Sequence, residues 1–215
     1  AAEKEIGVAI RTKAKQQLKE DLLIELASTA FIKRKVIHGY ISHETNLIVI
    51  NTSTASVAET FLALLRKTLG SLPVTRLTSN SDVSDILTNW VTEKTADKFT
   101  LGYCARLECF GADKGKIIIK DKDLKDKTVQ AHIIDDDYYV STLALSYDEV
   151  SSFEIDEQLS IKKLKFFDAL KEQNDDIDSD DALASFDADF CLMAGEIDRL
   201  ALDLISAFDV PDFED

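Results

Sequence analysis

The sequence AETFLALLRKTLGSLPV, residues Ala58–Val74, encodes a helix, its stop signal and the start of the next segment. Its apolar residues recur at helical spacing, which predicts an amphipathic helix over Ala58–Leu69. Gly70 is expected to end this helix with a left-handed backbone, and Pro73 prevents its continuation. The stripe that we expect to pack in a core consists of Phe61, Leu62, Leu64, Leu65 and Leu69.

Segments on both sides of this helix predict a mixture of helices and strands. The other predicted helices are Glu3–Ala27, Val83–Lys94, Thr128–Asp135, Ile161–Gln173 and Asp180–Phe208. The predicted strands are Val36–Ile41, Leu47–Ile50, Tyr138–Tyr147 and Phe153–Leu159, and a helix followed by a strand is predicted over Phe99–Phe110 and Gly115–Lys120. Because strands and helices do not alternate regularly, the pattern favours an α+β fold with largely antiparallel sheets and packed helices.

Composition limits the class of protein. With 215 residues, 45% of them hydrophobic, the chain can bury a core in one or two domains. No apolar run approaches the ~20 residues that a membrane-spanning helix needs. The three cysteines, Cys104, Cys109 and Cys191, have no paired spacing, which fits a reducing cytoplasm, and we expect buried thiols.

The formal net charge of −15 is unusual for a nucleic-acid-binding protein, but the charge is unevenly distributed. Residues 168–215 carry sixteen acidic and two basic side chains, whereas residues 1–70 carry ten basic and seven acidic ones. A field divided in this way can repel DNA from one surface and leave another surface available to it.

Two basic clusters are candidates for such a surface. Lys33, Arg34 and Lys35 follow the exposed aromatic candidate Phe31. The second cluster is interleaved with aspartates and consists of Lys114, Lys116, Lys120, Lys122, Lys125 and Lys127. Interleaving is typical of an ordinary solvated face, but four of these lysines share strand parity and could line one side and bind phosphates. Both interpretations are open at this stage.

The sequence contains the first residues of a catalytic and a metal-binding motif but lacks the later residues that each motif requires. His43-Glu44 opens a zinc-protease pattern, but position 47 is leucine, and the Asp176 segment lacks the glycine and glutamate of a calcium loop. The sequence has no glycine-rich phosphate loop and no serine elbow. We therefore expect a protein that is not an enzyme and uses no cofactor or metal.

Three long runs carry a family resemblance. They are LALLRKTLGSLPV at Leu62–Val74, KLKFFDALKEQNDDID at Lys163–Asp178 and FDADFCLMAGE at Phe186–Glu196. Together with the intervening segments, the chain resembles the recombination-associated RdgC family from about Leu18 to Phe208. Members of that family have roughly another third of chain ahead of this sequence, so the resemblance implies a fragment.

The resemblance implies a curved protomer with a helical tip, two of which close a ring around double-stranded DNA. It implies binding that is independent of sequence, limits the access of RecA to DNA and occurs in the cytoplasm at the nucleoid. It places Phe31 at the tip contact of the homodimer and the basic inner surface at Lys120 and Lys122, with Asp121 in place of a basic residue. With Lys33–Lys35, these lysines are the predicted DNA contacts. The expected regions are a helical arm over 1–35, a central region over 36–160 and an acidic helical region over 161–215.

A second hypothesis is a protein-interaction module, in which the acidic C-terminal region binds a basic partner or mimics DNA. It depends on the excess of acidic residues over 168–215. A third hypothesis, a hydrolase with an unrecognised carboxylate site, ranks last because forty acidic residues guarantee chance pairs.

Overall fold

The computed structural model describes residues 12–31, 34–109, 115–172 and 182–211. The chain divides into two compact units, Ala1–Ile37 and His38–Asp215. In the first unit, helix α1 spans Thr12–Thr29 and has no buried side chain. The predicted helix is confirmed for its described residues, and its apolar stripe is exposed at Leu18, Leu22, Leu23 and Leu26.

The second unit begins with the predicted hairpin. Strand β1 (Gly39–Ser42) pairs antiparallel with β2 (Leu47–Ile50). Helix α2 follows over Ala55–Leu69, and Gly70 ends it at φ 85°, a left-handed conformation that glycine adopts without strain. The predicted helix and cap are confirmed. The expected core packing is not, because no residue of α2 is fully buried and Leu64 is well exposed.

A five-stranded antiparallel sheet forms the main part of the second unit. In chain order its strands are β3 (Phe99–Cys109), β4 (Lys116–Ile119), β5 (Tyr138–Tyr147), β6 (Ser151–Asp156) and β7 (Ile161–Phe166). Their order in the sheet is β4-β3-β5-β6-β7, and every neighbouring pair is antiparallel. The α+β class with antiparallel sheets is therefore confirmed.

The core lies between one face of this sheet and the helices. These are α3 (Val83–Thr92), α4 (Lys127–Ile134) and α6 (Ala182–Ala207), and the short α5 (Asp168–Lys171) follows strand β7. Trp90 of α3 packs against Phe99 and Phe208, with ring centroids 5.5 Å and 5.0 Å away. Such aromatic contacts contribute beyond the area that they bury, and they fix α3 and the end of α6 to the sheet.

One predicted helix is wrong throughout its described residues, and another is wrong over its first half and helical at Asp168–Lys171. Residues Ile161–Phe166, predicted as the start of a helix over Ile161–Gln173, form strand β7, where Ile161 pairs with Ile155 of β6. Phe99–Cys109 is a strand throughout and contains no helix. In both segments pairing with a neighbouring strand, which is a tertiary contact, overrides the local helical preference.

The cysteines also differ from expectation. Cys104 and Cys109 are half-buried, and Cys191 is exposed. The buried side chains of α6 are Glu196, Leu200 and Leu204, so its buried stripe recurs every four residues. Cys191 lies about half a turn away from Leu200 around the helix and therefore points away from the core.

Candidate nucleic-acid interface

The five-stranded sheet has one face in the core and one face that the described helices leave uncovered. Directly paired residues in an antiparallel sheet lie on the same face, so the pairing register assigns each side chain. Leu107, Leu143, Phe153 and Ile155 are buried on the core face. The opposite side, which we call the open face, carries Arg106, Glu108, Lys116, Ile118, Thr142, Ala144, Glu154, Asp156, Lys162 and Lys165.

Two further lysines belong to the open face. Lys120 follows Ile119, which is buried, so strand alternation places the exposed Lys120 on the same side as Ile118. Lys163 occupies an irregular position in β7 with φ 53°, and its Nζ lies 2.6 Å from Glu154 Oε1. The irregularity gives β7 one extra residue, which allows two adjacent lysines to reach carboxylates of the same strand, β6.

The open face is positively charged although the chain is not. Among its described residues, six cations face three carboxylates, a formal charge of +3 on a chain of net charge −15. The cations are Arg106, Lys116, Lys120, Lys162, Lys163 and Lys165, and the carboxylates are Glu108, Glu154 and Asp156. Local charge matters more than the sum for a polyanion, because salt screens charges more than ~8–10 Å away.

Three of the six cations are paired with the three carboxylates. Lys116 Nζ lies 2.8 Å from Glu108 Oε1, and Lys162 Nζ lies 2.7 Å from Asp156 Oδ2. The hydrogen bond from Lys116 is the main reason why the pKa of Glu108 is below its ordinary value. Burial alone would raise the pKa of Asp156, but hydrogen bonds from Lys162 and the main chain of Ser160 together lower it. Both carboxylates are therefore ionised at neutral pH and offset their lysines.

The other three cations are available to a ligand. Arg106, Lys120 and Lys165 are exposed, and none of them forms an ion pair with any residue in the described ranges. Each can contact a phosphate without first breaking an internal pair. These three side chains account for the positive excess of the open face.

The predicted contacts of the first unit lie just after α1. Phe31 is fully exposed, and Arg34 and Lys35 are exposed in a segment without regular structure. Lys33 lies outside the described residues. No described residue of its own unit buries Phe31, so its ring is free to meet another molecule.

The lysines of the second predicted basic cluster have different structural roles. Strand β4 ends at Ile119 and Asp121 has φ 52°, so the four lysines do not line one strand as their parity suggested, and Lys114 lies outside the described residues. Lys122 Nζ lies 3.3 Å from Asp126 Oδ1, beside the N-terminus of α4. Lys125 Nζ donates to the carbonyls of Val91 and Glu93 at 2.8 Å and 2.7 Å, at the C-terminus of α3. Lys125 therefore caps a helix, and Lys116 and Lys120 are the described lysines of this group that belong to the open face.

Sequence reasoning missed Arg106, Lys162, Lys163 and Lys165. The segment Ile161–Phe166 reads IKKLKF, and a strand interpretation would have placed its lysines beside the sheet. The helical interpretation hid that signal. The sequence around Arg106 does not indicate a role for it, because its place on the open face depends on strands that are distant in sequence.

No cluster of three or more His, Cys, Asp or Glu side chains suited to a metal ion occurs among the residues that the structure describes. In those same ranges, no helix is both long enough and apolar enough to cross a membrane.

Comparison with known proteins identifies the family. The family model described as "Putative exonuclease, RdgC" matches residues 1–210. The recombination-associated protein RdgC of Colwellia psychrerythraea is 44% identical over 207 residues, which are 96% of this chain and 67% of that protein. The proteins of the same name from Pseudoalteromonas atlantica and Psychromonas ingrahamii are 38% and 39% identical, each over 97% of this chain and 69% of their own length. The chain therefore belongs to the RdgC family of recombination-associated proteins.

Proposed function

We propose that the chain binds double-stranded DNA without sequence preference and that the open face supplies phosphate contacts. The observation that carries the proposal is a positive sheet face on a strongly acidic chain, with three cations, Arg106, Lys120 and Lys165, that form no ion pair with a described residue. Contacts to phosphates position a protein on DNA but carry no sequence information, so such a face binds any duplex. The acidic remainder of the chain repels DNA and restricts binding to this surface.

The proposal includes a dimeric ring that limits RecA-dependent recombination. The names of the relatives connect the family with recombination. Support for a self-contact comes from α1, whose leucines and neighbouring Phe31 are exposed within their own unit. A ring holds DNA by enclosure as well as by attraction, so the protein does not need a large positive net charge. DNA enclosed in this way is inaccessible to RecA.

We propose that this binding involves no catalytic step. The carboxylates of the open face, Glu108, Glu154 and Asp156, each form an ion pair with a lysine. A nuclease reaction of the two-metal kind needs carboxylates that are free to hold metal ions. The test is incubation of a 5′-labelled duplex with the chain and Mg²⁺. Progressive shortening of the labelled strand, or release of the labelled nucleotide, would overturn this part of the proposal.

The binding itself is tested by fluorescence anisotropy with ~30-base-pair duplexes at two salt concentrations, together with light scattering for mass. We expect similar affinity for duplexes of different sequence and a steep loss of affinity as salt increases. Affinity that is insensitive to salt, or that depends strongly on sequence, would contradict the proposal. Slower RecA-catalysed strand exchange on addition of the chain is the expected functional result.

A second candidate function is the protein-interaction module. Helix α6 carries five acidic residues and one basic residue, and Phe186 near its start is largely exposed. An acidic helix with an exposed aromatic side chain fits a basic partner that has an apolar contact of its own. A native gel distinguishes the two functions, because the chain would migrate with a basic protein and not with DNA.

A further inference from the structure

The three carboxylates of the open face lie deeper in the sheet than the lysines that they hold. Their side chains are between 9% and 24% exposed, whereas the side chains of their partners are between 36% and 71% exposed. The pairs are Lys116–Glu108, Lys162–Asp156 and Lys163–Glu154. An exposed lysine stem can turn its ammonium group toward a ligand above the face, but a carboxylate held between the strands cannot follow it.

One of these pairs depends on an unusual backbone conformation. Lys163 has φ 53°, in the left-handed region that residues other than glycine rarely adopt. The pairing register places Lys162 opposite Glu154, yet Lys162 Nζ binds Asp156 and Lys163 Nζ binds Glu154. The irregularity therefore supplies the second lysine that neutralises the second carboxylate of β6. Backbone strain at a pair with an exposed lysine, which contributes little to stability, indicates a role in function.

The carboxylates can compete with DNA phosphates for these lysines. Each carboxylate oxygen lies 2.6–2.8 Å from a lysine Nζ, the distance at which a phosphate oxygen also accepts from an ammonium group. A phosphate that takes one of the lysines leaves a negative carboxylate beside the negatively charged duplex. That carboxylate repels the duplex or takes up a cation from solution, and either effect offsets the counterion that DNA releases.

We infer that Glu108, Glu154 and Asp156 are internal competitors of DNA phosphates, which hold three lysines in the free protein and thereby weaken the binding of DNA to the open face. With these carboxylates the face presents a charge of +3, and without them its six described cations would all be available. The consequence is a surface that binds duplex DNA and releases it readily. The inference rests on the proposed function, because it concerns the regulation of the same phosphate contacts.

The test neutralises two of the carboxylates and keeps their shape, in the variant Glu108→Gln with Glu154→Gln. Asp156 is left in place because its Oδ1 also accepts from the main-chain N–H groups of Gln158 and Ser160, at 3.0 Å and 2.9 Å, and so holds the turn before β7. The measurement is fluorescence anisotropy with a duplex of about 30 base pairs at four salt concentrations.

The variant should bind the duplex more tightly at low salt and depend more steeply on salt than the wild-type chain. Each lysine that is released to a phosphate adds about 0.9 to the slope of log K against log salt concentration, so the slope should increase by about 1.8. Between about 50 and 200 mM salt, this increase corresponds to a further change of about 12-fold in affinity. The single variant Glu154→Gln should gain about 0.9 in slope, and it serves as the test if the double variant does not fold.

The matched control is Glu44→Gln with Glu59→Gln, which removes the same charge from exposed positions outside the five-stranded sheet. We expect the control to keep the wild-type slope within about 0.5. If the ion pairs serve only stability, the open-face variant should have a lower melting temperature in circular dichroism and no steeper slope.

A slope of the open-face variant that is equal to or below that of the wild-type chain would overturn the inference, and so would a control that gains as much. In both cases salt-dependent binding by the wild-type chain would leave the proposed function standing. A duplex bound by the variant but not by the wild-type chain would overturn the proposed function and support the competition by the carboxylates. Failure of both chains to bind the duplex would overturn both.

Discussion

The most direct test of the open face is to remove its three unpaired cations together, as Arg106→Gln, Lys120→Gln and Lys165→Gln. Each cation that neutralises a phosphate of duplex DNA adds about 0.9 to the slope of log K against log salt concentration, so the triple variant should lose about 2.7 of that slope. Between about 50 and 200 mM salt, three such contacts correspond to about a 40-fold change in affinity. Glutamine retains a polar side chain of moderate length, and the three sites are exposed, so the fold should not change.

The assay is anisotropy with a 30-base-pair duplex over four salt concentrations. A matched control, Arg66→Gln with Lys67→Gln and Lys94→Gln, removes the same charge from exposed sites outside the sheet, two of them on α2 and one just after α3. We expect the control to keep the wild-type slope. The reasoning fails if the open-face variant keeps a slope within about 0.5 of wild type, or if the control loses as much.

Three further predictions concern assembly and stability. Phe31→Ala should weaken association of the dimer about 30-fold, which is the effect of losing an aromatic hot spot. A dimeric mass of the variant in light scattering that does not change on dilution would contradict this. Lys125→Met should lower the free energy of unfolding in urea by about 1–2 kcal/mol because carbonyls at the end of α3 lose a charged donor, whereas Lys127→Met should have little effect. Asp156 has a folded pKa below its ordinary 3.8, so its stabilising effect is present above about pH 4 and is lost as pH falls through the folded pKa. The free energy of unfolding of Asp156→Asn should therefore depend less on pH below about pH 4 than that of the wild-type chain, and an unchanged pH profile would refute the assignment.

Much of the fold could be predicted because its signals are local. The stop at Gly70 follows from one residue type, since glycine adopts a left-handed backbone without strain. The hairpin of β1 and β2 and the strand Tyr138–Tyr147 follow from apolar segments bounded by turn residues. These elements are therefore correct in type and close in their bounds.

The incorrect predictions occur where tertiary contacts determine the burial or the secondary structure of a segment. Leucines at helical spacing predict that α2 packs in a core, but its stripe meets too little of the protein to be buried. Residues Ile161–Phe166 have no period that separates helix from strand, and only pairing with β6 selects the strand. The sequence prediction therefore also missed part of the candidate site, because three lysines of the open face lie in this segment.

The sequence by itself determined the family, the α+β class, the uneven charge and the basic segments, because each depends on residue identity and short-range pattern. The tertiary structure decided which cations are available. It paired Lys116, Lys162 and Lys163 with carboxylates, used Lys125 to cap a helix, and left Arg106, Lys120 and Lys165 unpaired on one face. The physical reason is that the net charge presented to a ligand depends on the distance from each cation to its nearest carboxylate, and strand register fixes that distance.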